Sequence, residues 1–169
     1  WIEGVDESGE KTYRFVDIEG YMVWNTTTAA GGRYGAFDLD GYWTAIPNTF
    51  FEDNDGKRQY SGKDGRIAGA GEGENRQPYS FLSDETGKTK CLLAAETVSS
   101  LWIEDLRVDE NGYLVTGNDL DKLEIDDKYY TFNIEGHSTL VTNTFIRDPE
   151  TNNILCYVDE NGDKVRSKT

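Results

Sequence analysis

Short apolar–polar alternations separated by acidic turns run along the whole chain, and almost no stretch sustains a helical period. In Tyr13-Arg14-Phe15-Val16, Tyr13 and Phe15 belong to one face of a strand and Arg14 and Val16 to the other. Asp17-Ile18-Glu19-Gly20 then turns the chain, and Tyr21-Met22-Val23 returns. An Asp side chain accepts a hydrogen bond from the backbone two residues on, and Gly supplies the positive φ that such a turn requires. The segment is therefore predicted to be a β-hairpin.

The same design recurs from Tyr34 (YGAFDLDGYWT), Leu106 (LRVDENGYLV), Tyr129 (YYTFNIEGHSTLV) and Cys156 (CYVDENGDKV), with weaker copies from Tyr60 and Tyr79. The turn glycines are Gly20, Gly41, Gly65, Gly87, Gly112, Gly136 and Gly162, spaced 21 to 26 residues apart. A second set of turns alternates with them, around Gly9, Gly32, Gly56, Asp127 and Asn153. A lone hairpin is marginal in water, so its neighbours must stack to cover the apolar face. The predicted fold is all-β: an array of about seven stacked β-hairpin repeats, β-solenoid-like, running through residues 1–169 as one array. The Gly-rich polar stretch at residues 68–78 is predicted to be an exposed loop, and it is the candidate boundary between two sub-arrays. Residues 91–102 are the one place where a short helix or turn competes with strand.

Composition narrows the function. Hydrophobic residues are 36% and aromatics 12% of the chain, with Tyr the commonest ring, which suits thin β layers that bury rings with polar tips. The net charge of −15 argues against nucleic acid and against anionic membrane surfaces. The small basic cluster Lys164, Arg166, Lys168 does not change that. No run approaches the ~18 apolar residues of a membrane-spanning helix. The chain opens at Trp1 rather than Met and is read as a segment of a larger protein.

No catalytic constellation appears, and no cofactor or metal site is expected. Asp-rich turns such as Glu52-Asp53-Asn54-Asp55-Gly56 lack calcium-loop spacing, because position 51 is Phe. His137 follows a turn glycine and is expected at a hairpin end near solvent. Cys91 and Cys156 fall in different copies, at apolar strand positions, and are expected to be unbridged. Two aromatic clusters are candidate ligand platforms: Trp24, Tyr34, Tyr42 and Trp43, and then Tyr113, Tyr129 and Tyr130. Packing between hairpins is the competing role for both.

The pieces DDKYYTFNIEG (from Asp126), YRFVDIEGYMV (from Tyr13) and VDENGYLVTG (from Val108) resemble the cell-wall-binding repeats of Gram-positive bacteria. That superfamily includes choline-binding modules, glucan-binding repeats and clostridial toxin receptor-binding repeats. Its Gly-Trp dipeptide is absent here: Asn118 follows Gly117, and Asn25-Thr26, Asn48-Thr49 and Asn143-Thr144 follow other returning strands. Phe50 and Phe145 are candidates for the packing role of the missing Trp. The resemblance implies a non-catalytic, secreted or surface-displayed bacterial module that binds a cell-wall polymer, glycan or choline-like ligand in aromatic grooves. The alternative is a protein-recognition or spacer array, facing a host or bacterial surface protein, that has lost its small-ligand sites.

Overall fold

Acidic turns punctuate the chain and the strands fall between them. The structure, a computed structural model, describes residues 1–117 and 122–165, so Asn118, Arg166 and Lys168 lie outside the described residues. The described residues contain nineteen short strands in seven small antiparallel sheets, and one single-turn 3₁₀ helix at Gly73–Asn75. The expected all-β fold of about seven hairpins is present.

The first sheet is β1 (Ile2–Val5) with β2 (Lys11–Arg14). The second is β3 (Thr26–Ala30), β4 (Arg33–Phe37) and β5 (Trp43–Ala45), and the third is β6 (Thr49–Glu52) with β7 (Arg58–Ser61). The fourth runs β8 (Gly69–Ala70), β9 (Gln77–Ser83), β10 (Thr89–Leu93) and β11 (Glu96–Thr97). The fifth is β12 (Leu101–Ile103) with β13 (Leu106–Val108). The sixth is β14 (Leu123–Ile125), β15 (Lys128–Phe132) and β16 (Ser138–Leu140). The seventh is β17 (Thr144–Arg147), β18 (Ile154–Val158) and β19 (Lys164–Val165). The stretch 91–102 contains no helix. Ala94 and Ala95, at φ 49° and 70°, make a tight turn from β10 into β11.

The turn chemistry follows the residue types. Asp17 Oδ1 accepts from the amides of Glu19 at 3.0 Å and Tyr21 at 2.8 Å. Asp6, Asp38, Asp53, Asp84, Asn133 and Asp159 repeat this bonding to the second and fourth residues on.

One sequence expectation is corrected. Most of the seven repeat glycines do not close the main hairpins. Gly20, Gly65 and Gly112 are each followed by one isolated bridge, Val16↔Met22, Ser61↔Ile67 and Val108↔Leu114. Most of the main hairpins close on the alternate turns, as in β3–β4, which pairs from Thr26↔Phe37 to Ala30↔Arg33 across Gly31-Gly32. Gly87 is the exception, since it joins β9 to β10. A repeat is thus a hairpin plus a short return segment, with the Asp-x-x-Gly turn between hairpin and return.

The Asn residues that stand before hairpins have a backbone reason. Asn25, Asn48 and Asn143 sit at φ 47°, 48° and 49°, and Ser100 at 57°. Asn is among the few residues with a side chain that enters the left-handed region readily. In each case the amide bonds to the residue that opens the next Asp-x-x-Gly-type turn: Asn25 N–H to Asp38 O, Asn48 to Gly62, Ser100 to Asp109, Asn143 to Asp159. These bonds run forward in sequence and tie each hairpin's entry to its own exit turn.

Two compact units form. The first is Trp1–Ser99 with Glu110–Tyr113; the second is Ser100–Asp109 with the described residues from Leu114 onward. Residues 68–78 lie inside the first unit, where they supply β8, the 3₁₀ turn and the start of β9. Each core is small. Tyr60, Phe81 and Cys91 are buried in the first unit, and Leu106, Val108, Phe132 and Val158 in the second.

Burial decides how the turn glycines respond to substitution. Gly20 and Gly136 both have positive φ, 91° and 95°. A Cβ at Gly20 meets nothing within 4 Å, whereas one at Gly136 lies 2.9 Å from Leu114 Cδ2 and 3.2 Å from the Val115 carbonyl O. Gly20→Ala should therefore cost only the backbone strain, about 1 kcal/mol, and Gly136→Ala about 1–2 kcal/mol more. Urea titration of the two variants checks the order, and equal losses would contradict it.

Candidate functional site

Period-2 alternation in β2, β4 and β5 places aromatic and basic residues on one side of neighbouring sheets in the first unit. The result is an aromatic box. The Trp1 ring meets Trp43 edge-on at 5.3 Å, Phe15 at 5.2 Å and Phe37 at 6.1 Å, and Tyr13 meets Trp43 at 6.3 Å. The Arg33 guanidinium stands 5.4 Å from the Trp1 ring centre, 5.5 Å from Tyr13 and 5.4 Å from Trp43. Three ring faces converge on one internal cation, within the ~6 Å over which cation–π attraction acts. The Trp43 Nε1 donor is buried without a partner among the described residues.

Trp24, Tyr34, Tyr42 and Trp43 do not form a single platform. Trp43 belongs to the box. Tyr34 stacks on Phe51, with ring centres 4.0 Å apart and planes 6° from parallel. Tyr42 is 37% exposed, with the Arg14 guanidinium 4.0 Å from its ring centre. Trp24 is 55% exposed and makes no ring contact among the described residues.

The second predicted group is also dispersed. Tyr113, in the first unit, lies under Lys88 and Lys90, 5.5 and 5.3 Å from its ring centre. In the second unit Tyr130 packs against Trp102 at 4.9 Å, and Arg107 lies 5.5 Å from Trp102. Tyr129 is core: it is 7% exposed and packs with Ile146 and Val158, and its hydroxyl donates to Glu124 Oε2 at 2.7 Å. Burial first, and then that bond, push the Tyr129 hydroxyl well above the ordinary tyrosine range. Lys164 bonds to the same carboxylate and holds Glu124 below the usual glutamate range.

Sequence reasoning missed several participants. Trp1, Tyr13 and Arg33 make the box with Trp43, but the aromatic density around Trp24–Trp43 gave no sign of rings 30 or more residues away. Of the two Trp substitutes, Phe50 packs on Tyr60 and Phe81 at 4.8 and 5.0 Å, and Phe145 packs edge-on against Tyr157 at 5.0 Å. His137 is not at a free hairpin end. Its Nδ1 lies 2.9 Å from Asp105 Oδ2 and its side chain is mostly covered.

Both cysteines are unbridged. Burial pushes the Cys91 thiol up to about 12, so its thiolate is scarce at neutral pH. An alkylating reagent should modify the half-buried Cys156 first and Cys91 only on unfolding, with two thiols titrating in denaturant. Finding both inert in denaturant would contradict the free-thiol assignment.

No family model and no curated protein matches the chain. Solved structures do. One is alternansucrase in complex with isomaltononaose, at 17% identity over 96% of this chain and 16% of that one, with a TM-score of 0.31. A second is the modular autolysin LytC from Streptococcus pneumoniae in complex with a synthetic peptidoglycan ligand, at 12% identity over 98% and 39%, TM-score 0.27. A third is the modular Cpl-1 endolysin complexed with a peptidoglycan analogue, at 18% identity over 98% and 37%, TM-score 0.31. The chain spans well under half the length of each. No helix among the described residues is long and apolar enough to cross a membrane.

Proposed function

We propose that this chain is a non-catalytic glycan-binding segment of a modular secreted or surface protein, and that it recognises neutral ring faces rather than cationic headgroups. The carrying observation is that most of its clustered aromatic faces already hold a cation of the chain itself. Arg14 covers Tyr42, Arg33 fills the Trp1–Tyr13–Trp43 box, Arg58 lies 4.2 Å from the Phe50 ring centre, and Arg107 faces Trp102. A choline-like ligand would have to displace a tethered guanidinium. A sugar needs only an open face, and Trp24 offers one. Stacking on one ring contributes about 0.5–1 kcal/mol, by analogy with exposed cation–π pairs, so useful affinity needs several sites.

Trp24→Ala tests the reading on a glycan and cell-wall polymer array. Binding should fall several-fold while the far-ultraviolet circular dichroism spectrum is unchanged. Undiminished glycan binding, or none in the parent chain, turns the assignment to protein recognition. One observation favours that second reading: Ile18 and Leu39, each one residue past the Asp that opens consecutive repeat turns, project into solvent. Ile18→Ser with Leu39→Ser should then abolish capture of a protein partner and leave sugar binding intact.

A further inference from the structure

In a chain with 32 acidic and 17 basic residues, an arginine finds a carboxylate easily. None of the five arginines of the first unit does so among the described residues, and Arg14 and Arg58 lie over aromatic rings instead. Arg33, Arg66 and Arg76 line one open cavity of about 530 Å³, together with Trp1.

Their placement is set by backbone. Arg33 and Arg66 stand directly opposite each other across an isolated antiparallel bridge. The bridge is held by Tyr34 N–H to Gly65 O at 2.7 Å and Ile67 N–H to Gly32 O at 2.9 Å. Directly opposed residues share a face, and like charges in that position destabilise a sheet. Arg76 Nη2 donates to the Ile67 carbonyl at 3.0 Å, which brings a third guanidinium beside the pair. The aromatic box steadies Arg33 alone; Arg66 and Arg76 are exposed and uncompensated. Gly32 and Gly73 keep the lip open, since a Cβ at either meets nothing within 4 Å.

We propose that this arginine-lined cavity binds an oxyanion carried on a sugar, the carboxylate of a uronic acid or a phosphate ester. A guanidinium matches the planar edge of a carboxylate or phosphate with two parallel hydrogen bonds. An anion between Arg33 and Arg66 turns a repulsive pair into two attractive ones. Trp1, pinned by its Nε1–H bond to the Gly31 carbonyl at 3.2 Å, gives the sugar ring an apolar neighbour. The sugar half of this proposal rests on the glycan-binding reading, while the oxyanion half rests on the arginines alone. The net charge of −15 repels long polyanions, so short ligands probe the cavity best.

The test is calorimetric titration of the intact chain at physiological salt with a glucuronate-bearing tetrasaccharide, glucose 1-phosphate, inorganic phosphate and uncharged maltotetraose. The charged sugars should bind at least about ten-fold more tightly than maltotetraose. Arg66→Gln and Arg76→Gln should each weaken them about ten-fold, the loss of one charge-assisted hydrogen bond. Arg66→Gln should also raise the Tm, because it relieves the opposed pair; a merely structural arginine would lower it. The tighter of the two charged sugars identifies the source of the oxyanion. Equal binding of charged and uncharged sugars overturns the proposal and leaves the glycan-binding reading standing. Inorganic phosphate binding as tightly as glucose 1-phosphate overturns the sugar half. Unchanged affinity in both Gln variants, or no binding of any probe, overturns the whole.

Discussion

Gly35→Ala is expected to destabilise the first unit by about 3 kcal/mol, the upper part of the usual overpacking range. Gly35 is buried in the middle of β4, paired with Thr28 on one side and Ala45 on the other. A methyl group there overlaps Trp43 Nε1 and the Thr44 carbonyl oxygen, and lies 2.7 Å from Trp43 Cε2. The carbonyl belongs to the adjacent strand and cannot move without breaking the sheet. The indole cannot move either: Trp1 and Tyr13 close on one side, and on another a Cβ at Gly65 would be only 3.0 Å from Trp43 Cζ2. Single domains have a total stability of about 5–15 kcal/mol, so this is a large fraction of it. Urea unfolding followed by tryptophan fluorescence should give a lower midpoint with an unchanged slope. A loss below about 1 kcal/mol would mean that Trp43 swings out freely, and that the aromatic box is not a fixed structure.

Phe132→Ala is expected to cost the second unit about 3–5 kcal/mol, as for other buried rings. Phe132 is 2% exposed, at the end of β15, where it pairs with Ser138 of β16. Its ring stacks under Trp102 at 6.2 Å and 19°, and Tyr130 lies 6.5 Å away. The strands of the second unit are two to five residues long, and a core this thin cannot collapse around a void. Trp102, the one tryptophan of the second unit, should report the loss as a red-shifted emission and a lower midpoint. Phe132→Leu, which restores most of the volume, should recover more than half of the stability. If Phe132→Ala leaves the midpoint unchanged, the ring is not structural and the Trp102–Tyr130 pair stands without it.

The sequence by itself determined what local chemistry controls. Asp at the first turn position, Gly at the fourth and alternation on either side announced strands and turns, because an Asp side chain reaches only the next four amides and a positive φ is a property of one residue. The departures from the repeat pattern at Asn25, Asn48 and Asn143 were visible in the sequence, but their left-handed backbone was seen only in the structure. Free thiols at Cys91 and Cys156 followed from their separation in the repeat order.

Only the tertiary structure decided which turn of each pair closes the longer hairpin, since both sets carry the same residue types and the choice depends on how far two strands stay in register. It also decided what every ring faces. Trp24, Tyr34, Tyr42 and Trp43 are neighbours in sequence, yet strand alternation and packing between sheets send them to different surroundings. Arg33 is brought to Trp1, Arg14 to Tyr42 and Arg66 to Arg33 across about 30 residues of chain, the last of these by backbone bonds. Such contacts arise when hairpins cover one another's apolar faces. A repeat motif specifies that covering will occur, but not which side chains meet, because the meeting residues occupy variable positions of the repeat.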